Sequence, residues 1–202
     1  MPDACQFKTF WFQHTRIICV AVIVTLSTVG QASNALASDA TSETSAVARL
    51  VNISELPEDI SELRNALGFC TPFADMRHRD QAMIVDDPGA FSRLAIVPCG
   101  GGAYNLSFVV FLESAGETIL HTFDTYSEPD GWSTTKEVFN VEWFEEESTL
   151  STFRKGRSLG DCGATGTWHY QDGALHLQSY HFQPTCDGNS APGEFPPLED
   201  RP

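Results

Sequence analysis

The sequence predicts a mainly β protein, a single antiparallel β-sandwich or partly rolled sheet with one N-terminal helix, stapled by disulfides. Three observations carry this expectation. Only residues 57–67 show a clear apolar stripe at helical spacing. From about residue 80 onward, short apolar runs alternate with turn clusters such as Asp86-Asp87-Pro88-Gly89 and Asp172-Gly173. Cysteines recur through the same region at Cys70, Cys99, Cys162 and Cys186.

The first 37 residues read as a secretory signal peptide. Lys8, His14 and Arg16 form a weakly positive start, residues 17–29 are mostly apolar, and Ala35-Leu36-Ala37 offers small residues for cleavage. The apolar run falls short of the roughly 20 residues that a membrane span needs. Cys19 lies inside it without the small residues that a lipoprotein site requires before the cysteine. Residues 38–53, rich in Ser, Thr and Ala near their start, read as a flexible leader. Residues 54–198 form the single β-rich domain.

Within that domain, Leu56, Ile60, Leu63 and Leu67 make the apolar stripe of the helix, with Pro57 suited to its first turn and Gly68 to its stop. Strands follow at residues 82–85 and 91–97. Residues 104–112 are apolar on both faces, which marks a central strand covered on both sides. Residues 118–123 continue as strand, 126–133 read as a polar loop around Pro129-Asp130-Gly131, and 138–144 alternate imperfectly. Glu145-Glu146-Glu147 is an acidic, solvated turn, and residues 150–154 form another strand. Asp172-Gly173 between alternating residues is a two-residue hairpin signal. It sets His169 opposite His176, and Trp168, Tyr170, Leu175 and Leu177 on the core face. The tail after Cys186 is irregular, with Phe195 and Leu198 as docking points.

Four cysteines allow three pairings. Cys70–Cys99 and Cys162–Cys186 close short local loops and are preferred, each contributing roughly 3.5 kcal/mol by the chain-entropy relation. A zinc site is disfavoured because no CxxC pair exists, and no cofactor is expected. The whole chain carries a net charge of −15. Cleavage after Ala37 removes two basic residues and one acidic residue, which leaves −16. Such a charge repels nucleic acid and anionic lipid and suits a cationic protein or peptide partner.

Three segments stand out together. They are Pro98-Cys99-Gly100-Gly101-Gly102-Ala103-Tyr104-Asn105, then Lys155-Gly156-Arg157-Ser158-Leu159-Gly160-Asp161-Cys162-Gly163, then Trp168 to Leu177 with Cys186 beyond. In order and spacing they resemble a proteobacterial exported family catalogued as domain of unknown function 1176. Ser158 stands where that family's pattern usually has glycine, and its members are typically longer, with another β-rich half before this one. The resemblance implies export and a periplasmic setting, and no reaction.

Lys155, Arg157, Asp161, Tyr104 and Asn105 are the candidate binding residues. Lys155 and Arg157 make a cationic spot able to hold a carboxylate. Arg157 and Asp161, four apart, equally suit a salt bridge that fixes their own loop. The glycines at 100–102, 156, 160 and 163 either cradle an anion through backbone N–H groups or serve tight turns. His169 and His176 could hold a metal only with a third ligand, Asp172 or His181, and His181 falls on the opposite parity unless a bulge intervenes. No GxSxG or HExxH motif is present. The expected function is a non-catalytic, exported binding or envelope-associated module. The alternative is a hydrolase of envelope carbohydrate or peptide, with a carboxylate pair drawn from Asp124, Asp130 and Glu142 in a concave pocket.

Overall fold

The computed structural model describes residues 46–76, 80–87 and 90–199. The expected signal peptide and the first part of the leader lie outside the described residues.

Among the described residues, twelve strands and one α-helix make three layers. The first sheet runs β1 (Val47–Asn52), β2 (Gln81–Asp87), β3 (Ser92–Gly101), β4 (Leu106–Ser114), β5 (Glu117–Leu120), all antiparallel, and β8 (Val138–Phe139) also pairs with β4. The second sheet runs β12 (Ala174–Gln183), β11 (Gly163–Gln171), β10 (Thr149–Lys155), β9 (Glu142–Phe144). β6 (Phe123–Ser127) and β7 (Gly131–Thr135) form a separate hairpin. The segment read as a polar loop at 126–133 is therefore the turn and flanks of that hairpin. Residues 138–144 divide between the two sheets at Asn140, whose φ of 46° breaks the strand.

Alternation along the first sheet explains the layering. Val85, Leu94, Ile96, Val110 and Leu112 face the second sheet and meet Leu150, Trp168, Tyr170 and Tyr180. Ile84, Ala95, Val97, Val109 and Phe111 face the other way and pack under Leu56 and Ile60. The reading of residues 104–112 as a strand covered on both sides holds. So does the 172–173 hairpin, with His169 opposite His176, Tyr170 opposite Leu175 and Trp168 opposite Leu177.

Two expectations need correcting. The leader is not flexible to residue 53: Val47–Asn52 pairs along its length with β2, and a capping box between Asn52 and Glu55 continues it into a 3-10 turn. Strand pairing here outweighs a composition without strong β signal. The helix α1 (Glu58–Ala66) forms where expected, but its buried face is Ile60 and Arg64 rather than Leu63. Leu63 is 41% exposed, whereas Arg64 is 1% exposed.

The reason lies in β3. Its ladder to β4 skips Cys99, which is the extra residue of a bulge beside Pro98. The bulge turns backbone carbonyls out of the ladder, and burying them requires a donor. Arg64 supplies it. Its Nε donates to Pro98 O at 3.2 Å and its Nη2 to Cys99 O at 3.3 Å and to Thr71 O, while the guanidinium lies 4.0 Å from the Phe73 ring centroid. The same point is cross-linked by the Cys70–Cys99 disulfide. Burial lowers the Arg64 pKa below the usual arginine range, and carbonyl dipoles take the place of a counter-ion.

Arg64→Ala is expected to lower the unfolding free energy by about 3 kcal/mol in urea titration, because buried carbonyls lose their donor and a cavity opens. Leu63→Ala, one residue away and half exposed, is expected to cost under about 1 kcal/mol in the same assay.

Candidate functional site

The predicted site residues fall into a scaffold rather than a free ligand site. Asn105, at the mouth of β4, uses its amide as a strand would: Nδ2 donates to Lys155 O at 2.9 Å and Oδ1 accepts from Lys155 N at 3.0 Å. Asn140 completes the junction. Its Nδ2 donates to Asn105 Oδ1 at 2.9 Å and to Phe153 O at 2.8 Å, and its Oδ1 accepts from Leu106 N. This asparagine pair stitches the two sheets at one end of the sandwich. Lys155 reaches over the Phe153 ring, 5.7 Å from its centroid. Tyr104 stands apart on the β3–β4 turn, 39% exposed.

Arg157 and Asp161 form the expected ion pair, with Nε to Oδ1 at 2.7 Å and Nη2 to Oδ2. Asp161 is 3% exposed and also accepts the Gly188 N–H. The Arg157 guanidinium above all, with the Gly188 N–H, pulls the Asp161 carboxyl down to about 2. The pair thus ties the glycine-rich loop to the segment after Cys186, next to the Cys162–Cys186 disulfide. The loop glycines serve turns. Gly156 N donates to Cys162 O and Gly160 N to Arg157 O, so these donors are already used. Gly163 has φ 129°, and a Cβ there would lie 2.0 Å from Arg154 O. Both disulfides take the pairings preferred from loop length.

The histidines do not assemble a metal centre. A bulge at Gln178 does bring His181 to the face shared by His169 and His176. However, His181 Nδ1 bonds Phe195 O beneath the tail, and His169 Nδ1 bonds Glu147 O. Among the described residues no group of three or more His, Cys, Asp and Glu side chains could hold a metal ion.

Open space lies elsewhere. On the helix side, a groove of about 620 Å³ runs between α1 and the β4–β5 turn. Asp59, Glu62 and Glu117 edge it, and Leu63 and Ala66 line it; Asp59 also accepts the Thr118 hydroxyl. At the asparagine-stitched end, a pocket of about 110 Å³ opens between the β6–β7 hairpin and the second sheet, with Asp124, Glu137, Thr152 and Arg154 in its walls over Phe123 and Trp168. A cleft of about 420 Å³ adjoins it, sharing Phe139 and Arg154 and reaching Asn105 and Lys155. Of the acids weighed for a carboxylate pair, only Asp124 lines the pocket; Asp130 lies in the β6–β7 turn and Glu142 on β9. Glu137 takes the second place. It sits in a segment whose turn the sequence did not reveal. Beside Asp124, burial holds the His121 imidazole down at about 4, against the pull of that carboxylate, so it is neutral at neutral pH.

These features define a helix-backed, two-sheet domain with two disulfides, a class suited to an oxidising, extracytoplasmic compartment. No described helix is long and apolar enough to cross a membrane. The chain belongs to the family described as "Protein of unknown function (DUF1176)", which matches residues 30–198. It is 30% identical over 108 residues to the uncharacterized protein YpfG of Escherichia coli (strain K12), covering 52% of this chain and 31% of that protein. The chain therefore matches about a third of that relative's length. No solved structure matches.

The Asp161 carboxyl, held below its usual 3.8, contributes stability that is fully present above that pH and is lost as pH falls toward about 2. Asp161→Asn is expected to melt lower than wild type at pH 7 and to show a shallower fall in melting temperature between about pH 4 and pH 2. Thermal denaturation across that range checks both.

Proposed function

We propose that this protein is an exported, non-catalytic binding module, periplasmic or secreted, that holds a basic protein or peptide segment in the groove between α1 and the β4–β5 turn. One observation carries the reading. Asp59, Glu62 and Glu117 surround Leu63 and Ala66, and no described lysine or arginine lines the groove. An apolar floor with an acidic rim complements an amphipathic basic segment. The net charge of −15 adds steering of cations toward the surface. The charged and apolar pattern of residues 1–37 and the two disulfides support export.

The hydrolase alternative draws on Asp124 and Glu137 in one pocket. The volume weighs against it for carbohydrate. The pocket holds about 110 Å³, while a dry cavity that takes benzene measures about 150 Å³, and a pyranose ring with its hydroxyls has about twice as many heavy atoms as benzene.

Fluorescence anisotropy with a labelled Lys/Leu-rich peptide tests the binding reading. Affinity is expected to fall about tenfold between about 20 and 200 mM salt as screening shortens the electrostatic range. The Glu62→Lys/Glu117→Lys double variant is expected to lose at least about tenfold at low salt. Equal binding by wild type and variant would reject the groove as the site.

A further inference from the structure

The two disulfides differ in what can reach them. Cys99 is 1% exposed in the bulge of β3, and Arg64 bonds its carbonyl. Its partner Cys70 is half-buried against the helix-side core. Cys162 is also 1% exposed. Cys186, however, is exposed, on a segment without regular structure between β12 and the 3-10 turn Pro192–Glu194. Both Cys162 and Cys186 line the cleft of about 420 Å³ beside the asparagine junction. One disulfide therefore lies in the helix-side core, and the other joins a buried residue to one that solutes can reach.

The charges around the cleft suit an anionic attacker. Arg154 and Lys155 line it, and no described acidic residue does, in a chain whose net charge is −15. Cations of this kind favour thiolates over thiols. The two acids next to the cysteines in sequence are already answered. Asp161 holds Arg157 and the Gly188 N–H, and Asp187 accepts the N–H groups of Asn189 and Ser190. Cys162 Sγ is fixed in place: a Cβ at Gly156 would lie 2.7 Å from it, so the sulfur packs directly on that backbone. Beyond the disulfide, the segment that carries Cys186 is tied back by Gly188 on Asp161 and by Ser190 on Gln183.

Exchange requires a thiolate to reach one sulfur of the bond, so exposed disulfides are the labile ones. We propose that Cys162–Cys186 is a thiol–disulfide exchange site, opened by a dithiol reductant at the cleft, and that its opening releases residues 184–191 while Cys70–Cys99 stays closed. A thiolate of the reductant bonds Cys186 Sγ, and the Cys162–Cys186 bond breaks with its electron pair leaving on Cys162 Sγ, which takes a proton from water. The reductant's second thiolate then bonds its own first sulfur and expels the Cys186 thiolate, which is protonated in turn. The protein gains two electrons and two protons, and the reductant leaves as its own disulfide. Pro184 and Cys186 form one wall of the cleft, so release of this segment changes the cleft and leaves both sheets and the helix intact. The site is separate from the acidic groove on the helix side, so either reading can fail without the other.

Titration of the folded full chain with dithiothreitol, with free thiols trapped by N-ethylmaleimide and mapped by mass spectrometry, tests the proposal. Cys162 and Cys186 are expected to take the label at a dithiothreitol concentration at least about tenfold below the one that opens Cys70–Cys99. Hydrogen exchange of the selectively opened protein is expected to quicken at least about tenfold in residues 184–191 and to stay unchanged in β2, β3 and β4. The Cys162→Ser/Cys186→Ser double variant is expected to fold, to keep Cys70–Cys99 closed, and to show the same local exchange pattern without any reductant. Both disulfides opening together, or Cys70–Cys99 opening first, would overturn the exchange site. So would a rise in exchange throughout β2, β3 and β4 or a double variant that does not fold, since the bond would then staple the whole domain. Unchanged exchange in residues 184–191 after opening would overturn the release.

Discussion

The structure depends on a sheet that cannot be left bare on either side. β3 and β4 carry Leu94, Ile96, Val110 and Leu112 toward one face and Ala95, Val97, Val109 and Phe111 toward the other. Exposing either face would place a continuous apolar surface in water, and burial of such surface is the main drive to fold. The second sheet covers one side and the short helix the other. A nine-residue helix is marginal alone, so α1 exists because the sheet needs a lid and not because its sequence strongly favours helix. This also explains why Leu63 can face out: Ile60 and the Leu56 turn already fill the contact.

Covering the sheet creates a second problem, which the two disulfides and their charged neighbours solve in mirrored ways. At the helix side the bulge at Cys99 turns carbonyls inward, and a buried cation, Arg64, satisfies them. At the far side the segment after Cys186 presents the Gly188 N–H to the glycine-rich loop, and a buried anion of that loop, Asp161, accepts it. Each cross-link therefore sits beside a charge of the sign that its exposed backbone requires. The disulfide limits the unfolded chain, and the charge specifies the local geometry. Neither substitutes for the other.

This pairing sets what the sequence could reveal. The hairpin at Asp172-Gly173 was legible because the turn needs φ > 0 at both central residues, and few residue pairs allow it. The doubly covered strand was legible from its run of apolar residues, and the Arg157–Asp161 pair from its spacing. Arg64 was not, because an arginine on a helix reads as solvated until the bulge that it caps is known. β1 was missed for a related reason. Its six residues carry little β preference, and its stability comes from β2, whose paired residues lie 29 to 39 positions further along the sequence. Of the expected site residues, Asn105 and Lys155 do meet, but at a junction where their polar groups already serve each other. The bulge at Gln178 that realigns His181 has no composition signal at all.

Acidic residues are so frequent in this chain that their presence says little about a site. What distinguishes one acidic position from another is whether the fold has already answered it. Asp86 is shared by two arginines, Asp161 by an arginine and a backbone amide, and Asp187 by the turn that it caps. Subtracting these leaves carboxylates that line open space: Glu62 and Glu117 on the groove beside α1, and Asp124 and Glu137 at the mouth of the sandwich. The two places differ in kind. The groove is wide, edged by one sign of charge and floored by an exposed leucine, which suits an extended macromolecular surface. The mouth is small, carries both signs and sits at the end stitched by Asn105 and Asn140, whose hydrogen bonds fix the strands that bear Arg154 and Phe139. The side-chain bonds of that junction hold β4 and β10 in one register, so the mouth keeps its shape through the same contacts that join the two sheets.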